Sequence, residues 1–446
     1  MSISAAGRTT ERTMKTVTPE EKRTSRAAFY GLLVDYWEIM LPVVALGPAM
    51  AYFLPADLPI ETKTTLAFLT FASAFIGRPL GSVIFGHFAD TLGRKRTTVL
   101  CSAGLGFSVL LVALLPGYDV AGLWGLVGVL ALRLTGGIFM GGQYTGANPL
   151  AMEASEKSRR GFVGGFIASA WPVAYIAVSL LTALLVAVMP SGSDTSAYTT
   201  WGWRIPFLLG AAMGFGLFLY VRKTAESEVW AASKSKVKRS RSPLSELFRG
   251  NNLRNLAQLF LLMTGIWFAI QMLTIAPTGL LISYLGLPTE RVIWGLLLAN
   301  VALYPCYLLF GVGGQRFGRR KMLIVAGVLT GVISVPAMAV MLHIINADGP
   351  FWLAMVCYTI SLCISVAPNA IIIPYACERF KTEVRASGYG VGSTLAVIIP
   401  GLYSFILLGL AHFIRYEYGV VVLLGIGAAC MVAGAALGPE TKDTDL

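Results

Sequence analysis

Four charged residues lie deep inside long apolar runs: Asp35 and Glu38 within residues 29–53, Arg78 within 65–89 and Arg133 within 121–149. At a bilayer centre each would cost at least ~2.5–3.5 kcal/mol on insertion scales, so an ionisable group there is functional by default. The chemistry such a set supports is proton exchange. An arginine beside a buried carboxylate favours its charged form, and desolvation without the arginine favours the protonated one. Asp35 lies about eight residues into its helix, or ~12 Å deep at 1.5 Å per residue. Arg133 lies about as far from the opposite end of its own run, so the two should meet near mid-membrane. Glu38 is one turn beyond Asp35 on the same helix face. Asp35 is therefore read as the proton carrier, Arg133 as its switchable partner and Glu38 as the second acid. The alternative is a static ion pair that only fixes helix packing.

Arg78 precedes Pro79 and could clamp a substrate carboxylate bidentately. It could equally pair within a gate or snorkel to the interface. Around it, uncharged polar residues outline a pocket: Gln143 and Tyr144 in the fourth run, Trp267 and Gln271 in the seventh, Asn300 in the eighth and Asn369 in the tenth. Tyr144 shares a face with Arg133, since eleven residues make almost three turns. An apolar cavity with a few directional groups suits a small polar solute. The same stripe could serve only interhelical hydrogen bonds.

The elements that must hold these residues are membrane spans. The chain is 56% hydrophobic and 13% charged, against about a quarter charged in soluble domains. Twelve apolar runs are each long enough to cross a bilayer: 29–53, 65–89, 98–116, 121–149, 161–189, 203–221, 256–285, 292–314, 322–345, 351–376, 387–412 and 418–437. The expected fold is an all-α membrane protein of two six-helix bundles, 28–221 and 255–438. A tail, 1–27, a basic linker, 222–254, and a second tail, 439–446, complete it. The net charge of +12 is topological, because 29 of the 35 Lys and Arg fall on the termini and alternate connections. That bias puts both termini and the linker in the cytoplasm and argues against nucleic acid. The linker reads as a solvated segment beside anionic lipid, with a short amphipathic helix at Pro243–Phe248 on the membrane surface. The six cysteines show no metal spacing and are expected to make no disulfide.

Two loop motifs recur at an offset of 225 residues. Gly86, Gly93, Arg94, Lys95 and Arg96 return as Gly311, Gly318, Arg319, Arg320 and Lys321, and Pro149, Glu153 and Arg160 as Pro374, Glu378 and Arg385. Duplicated halves of this kind surround a central site and rock about it. The loop Gly86-His87-Phe88-Ala89-Asp90-Thr91-Leu92-Gly93-Arg94-Lys95-Arg96 resembles the signature loop of the major facilitator superfamily, with Gln315 in place of Asp90 in the second copy. Arg133-x-x-x-Gly137 and Pro439-Glu440-Thr441 add to the likeness. Gly77-Arg78-Pro79-Leu80-Gly81 resembles the metabolite:proton symporters, and the Glu153/Arg160 loop resembles the sugar porters.

The resemblance implies a cytoplasmic gate of Gly86, Asp90, Gly93, Arg94, Glu153, Arg160, Glu378 and Arg385. It also places an acid in helix one and an arginine in helix four in a coupling relation, positions that Asp35 and Arg133 match. Members often carry an acid where this chain has Gln143. The implied activity is proton-coupled uptake of a small polar metabolite, most of all an organic carboxylate, across the inner membrane. No cofactor or metal is implied, the proton gradient being the driving force. The partners are solute, proton and lipid, and the chain is expected to act as a monomer. A proton-independent facilitator, an exporter and a transporter-like sensor are the other readings. An enzyme is disfavoured, with no nucleophile–base pair or phosphate loop.

Overall fold

The computed structural model describes residues 17–55, 58, 60–190, 196–236 and 243–446. Among them the chain is helical, without strands. Eleven helices are long and apolar enough to cross a membrane: α1 (Pro19–Ala45), α3 (Arg94–Leu114), α4 (Leu123–Ala154), α5 (Lys157–Val188), α6 (Tyr198–Val221), α7 (Gly250–Ile282), α8 (Thr289–Phe317), α9 (Arg319–Asn346), α10 (Phe351–Glu378), α11 (Thr382–Leu410) and α12 (Tyr416–Ala436). The helix α2 (Ile60–Leu92), 33 residues long, is the twelfth in the series.

Helix α1 starts well before its apolar run, so residues 17–27 are not the free tail that hydropathy suggests. Thr18 caps it, its hydroxyl accepting the Glu21 N–H at 3.1 Å, and Pro19 occupies the first turn. Buried Glu21 then takes Arg159 at 2.8 Å. A charged first turn satisfied by a cap and a partner extends a helix beyond the stretch that lipid requires.

Glycines set the helix registers. On α2, a Cβ at Gly77 or Gly81 would strike the α4 backbone at Leu134 and Ile138. On α4, a Cβ at Gly137 or Gly141 would strike Ala74 and Arg78. These reciprocal approaches bring the two helices to backbone contact, the membrane equivalent of a tight core. They place Arg133 opposite Thr70 and Gly141 opposite Arg78, two stations about 12 Å apart along α2.

The first six helices and the last six meet along α5 with α8 and α10, and along α2 and α4 with α11. Gly161 and Gly165 of α5 lie against the backbone of Gly311 and Tyr307. Several helices are interrupted beside a proline. A widened turn spans Gln271–Ile275 before Pro277 and another spans Thr330–Ser334 before Pro336. The helix α10 breaks at Ala367–Pro368 and α11 just ahead of Pro400, whereas Pro305 sits inside uninterrupted α8.

Candidate functional site

The four membrane charges form two pairs, and the pairing differs from the one their depths suggest. Arg78 faces Asp35 at 3.9 Å, and Arg133 binds Glu38. Arg133 is further fixed by the Glu38 carbonyl at 3.0 Å and the Thr70 carbonyl at 3.4 Å. The expected Asp35–Arg133 pair is absent because the α2–α4 glycine contacts hold Arg133 a turn or more away, level with Glu38. All four side chains are buried, with at most 3% of any exposed.

The two pairs are not equally satisfied. Neither Asp35 oxygen has a hydrogen-bond partner among the described residues, nor do Arg78 Nε and Nη1. The Arg78 guanidinium instead lies 5.8 Å from the ring centre of Tyr144 and 5.9 Å from that of Trp267, one ring from each half. Trp267 donates its indole N–H to the Ser393 carbonyl at 2.8 Å and meets Phe75 edge-on at 6.3 Å. Tyr144 stacks on Tyr389 at 4.9 Å, and Asn148 donates to the Tyr389 hydroxyl at 2.7 Å. Asp35, Arg78, Tyr144 and Trp267 thus converge where the halves meet.

Other residues of the expected pocket divide. Gln271, fully buried one turn beyond Trp267, keeps both amide atoms unbonded among the described residues. Gln143 donates to the Gly31 carbonyl at 2.7 Å and so ties α4 to α1. Asn300 donates back to Leu296 of its own helix at 2.9 Å, and Asn369 hydrogen-bonds the Tyr307 hydroxyl. Phe75, Asn148 and Tyr389 carry no charge and sit in no motif, and only their neighbours in space reveal them.

The loop residues assemble at the end of the bundle that carries both described chain ends. Asp90 Oδ1 accepts Arg94 at 2.9 Å and the Ala386 N–H at 3.1 Å, while Oδ2 accepts the Ser387 N–H at 2.9 Å and its hydroxyl at 2.6 Å. The carboxylate caps the helical segment starting at Arg385, where orphan N–H groups and the helix dipole favour an anion. Glu153 takes Arg385 from the other half at 2.6 Å and Arg94 at 3.3 Å. The second copy has the same members in different roles. Glu378 is held by both Arg319 Nε and Nη2, at 2.5 and 2.7 Å, with Arg160 of the first half 3.7 Å away. Gln315 accepts one backbone N–H, that of Gly161, at 3.1 Å.

Each loop turns on a glycine with positive φ, Gly93 at 116° and Gly318 at 104°. A Cβ there would strike Glu226 or Glu440. Those carboxylates cap α3 and α9, Glu226 on the Lys95 N–H at 3.0 Å and Glu440 on the Arg319 N–H at 2.8 Å. Ser227 then bonds Glu153, Thr441 donates to Glu378 at 2.7 Å, and Trp230 donates to the Asp90 carbonyl at 2.9 Å. Glu226-Ser227 and Glu440-Thr441 form a further repeat, readable in the sequence after each half's last span.

The linker is therefore part of this assembly over Glu226–Trp230. Its short helix, Pro243–Leu247, buries Leu247 completely against α2, α7 and α11, where the sequence suggested a membrane-surface helix. Lys238, Arg239 and Arg241 lie outside the described residues. At the opposite end, Arg204 donates to the Ala113 and Leu115 carbonyls, each at 3.0 Å. Glu417, inside α12, is buried with Tyr284 donating to it at 3.3 Å. Glu417 lies within the described span because α12 begins two residues earlier than its apolar run.

The Major Facilitator Superfamily family model matches residues 29–403. The chain is 29% identical over 430 residues to a shikimate transporter of Escherichia coli (strain K12), covering 92% of each. It is 26% identical over 342 residues to a citrate-proton symporter of Klebsiella pneumoniae, covering 76% of this chain and 74% of that one. Its fold resembles the proton:xylose symporter XylE bound to 6-bromo-6-deoxy-D-glucose, with a TM-score of 0.77 over 96% of this chain and 98% of the other at 16% identity.

Proposed function

The chain belongs to the major facilitator superfamily and is a multi-pass membrane transporter, not an enzyme; we propose that it is a proton-coupled symporter taking up a small organic carboxylate. One observation carries this reading. Arg78 and Asp35 are opposite charges held where the halves meet, touching only loosely and with most of their hydrogen-bonding capacity unused.

A substrate carboxylate would take the unused N–H donors of Arg78 and compete with Asp35 for Nη2, the nitrogen that completes either guanidinium fork. Asp35 would then lose its counter-charge in a dry site, which favours its uptake of a proton. Proton and substrate bind as a set because each removes the cost of the other. Both would favour the same rearrangement, and they shift its equilibrium only by their differential affinity for the two states. Arg133 and Glu38, bonded also to backbone, form the static pair that holds α1 against α4. The assembly around Asp90 and Glu153 is the gate at the end bearing the termini, and the bias of basic residues supports a cytoplasmic position for that end. A single chain supplies both walls and acts as a monomer. Relatives described as a shikimate transporter and a citrate-proton symporter support the carboxylate and the coupling.

The test is Asp35→Asn in liposomes, with labelled shikimate as the probe. Exchange down a gradient should persist, whereas accumulation driven by a pH step should fall by about tenfold or more. Accumulation at the wild-type level in the mutant sinks the coupling role.

A further inference from the structure

Charge counting narrows the substrate, on the premise that the central site is the binding site. Among the described residues, the central membrane charges are Asp35, Glu38, Arg78 and Arg133, which sum to zero. The remaining buried arginines of the spans lie in the gate network or, as Arg204, at the opposite end. Arg133 spends Nε and Nη1 on the Glu38 carboxylate and two backbone carbonyls, and its charge is balanced there by Glu38 at closer range than Asp35 balances Arg78. One cation, Arg78, is left to meet an incoming anion.

One carboxylate balanced by one proton on Asp35 leaves the site neutral. A second carboxylate would stay unpaired in a buried site, a state that desolvation strongly disfavours. The walls beside Arg78 are aromatic and come from both halves: Tyr144 and Tyr389 stacked at 4.9 Å, and Trp267 with Phe75 at 6.3 Å. Aromatic faces add specific attraction for another ring beyond the apolar area buried. One turn beyond Trp267, the buried Gln271 amide keeps its donors and acceptor unbonded among the described residues and can take a hydroxyl or keto group on the far side of such a ring.

We infer that the site takes a ring-bearing monocarboxylate with a polar substituent, carried electroneutrally with one proton, and selects against di- and tricarboxylates.

The experiment is calorimetric titration of the purified full-length protein at mildly acidic pH with four probes: acetate, succinate, cyclohexanecarboxylate and 4-hydroxybenzoate. The two ring acids should bind about tenfold more tightly than acetate or succinate. Trp267→Leu should bring the affinity ratio of ring acid to acetate down to about one, and Gln271→Leu should weaken 4-hydroxybenzoate severalfold more than cyclohexanecarboxylate. The Asp35→Asn/Arg78→Gln double variant, which removes both charges together and avoids a lone buried ion, should bind none of the four. Succinate binding that equals or exceeds the ring acids overturns the inference. If succinate binding is also lost in the double variant, the carboxylate site itself survives. Ring acids that bind the double variant as well as the wild type overturn both.

Discussion

The two copies of the loop assembly, the proposed gate, share their residue types and differ in where the bonds go. In the first, Asp90 caps a helix of the opposite half with two backbone N–H groups and a hydroxyl, and Glu153 reaches across to Arg385 at 2.6 Å. In the second, Gln315 accepts a single cross-half N–H, and Glu378 gives its three short contacts to Arg319 and Thr441 of its own half. Arg160, the counterpart of Arg385, stands 3.7 Å from Glu378 and donates instead to the Thr444 carbonyl at 2.8 Å. Most of the charge-assisted bonding between the halves at this end therefore runs through the first copy. A duplicated motif has been kept as a frame in both halves and as a fastening mainly in one. That inequality suits a gate that must open: two fully charged fastenings would hold the closed state too firmly.

The comparison breaks most easily at Asp90. Asp90→Asn removes the charge from two backbone bonds, a hydroxyl bond and the Arg94 pair. Charged hydrogen bonds contribute about 1.5–3 kcal/mol each, not additively, so a loss on the order of 3 kcal/mol is expected. Hydrogen–deuterium exchange over residues 382–390 should rise about a hundredfold, and Gln315→Ala should raise exchange over 157–165 only several-fold. Equal rises at both sites would show that the two fastenings are equivalent. Next in size is the arginine pair. Breaking a buried pair costs about 3–5 kcal/mol, and Arg385→Ala should fall near the low end because Arg94 still serves Glu153. Arg160→Ala should cost about 1 kcal/mol, since Glu378 keeps both bonds to Arg319. Thermal melts of the two variants in detergent give the order, and a larger loss for Arg160→Ala would reverse the assignment.

The fold was legible because lipid imposes a simple rule, and apolar runs of sufficient length mark each span. The assembly of the loop residues was legible because they recur at a fixed offset. The Asp35 partner was not. Depth along a helix locates Asp35, Arg78 and Arg133 only to within a turn or two, whereas pairing depends on register. That register is set by Gly77 and Gly81 against Gly137 and Gly141. Which backbone each of these glycines meets is a property of the packed pair. Tyr389 and Asn148 were illegible for a plainer reason: a neutral residue in a helix gains meaning only from what lies across the interface. Glu226-Ser227 could have been read, since Glu440-Thr441 repeats it after the twelfth span, at a different offset from the other motifs.

The smallest effect tests whether the tail joins the second fastening through charge or through backbone. Asp445 binds Lys157 at 2.9 Å, and Lys157 holds its carboxyl below the usual aspartate range. A depressed carboxylate stabilises the closed arrangement above the ordinary aspartate value of about 3.9 and loses that contribution as pH falls through its lowered value. Near neutrality the bond is fully formed, yet Asp445 is exposed and salt screens such pairs strongly. Asp445→Asn should therefore change transport by less than about twofold, and the difference should vanish in high salt. The Thr444 carbonyl bond to Arg160 is untouched by that change. A loss in Asp445→Asn as large as that in Arg160→Ala would mean that the second copy is closed by tail charge. The two fastenings would then be equal in kind, one carrying its carboxylate in the loop as Asp90 and the other at the end of the tail.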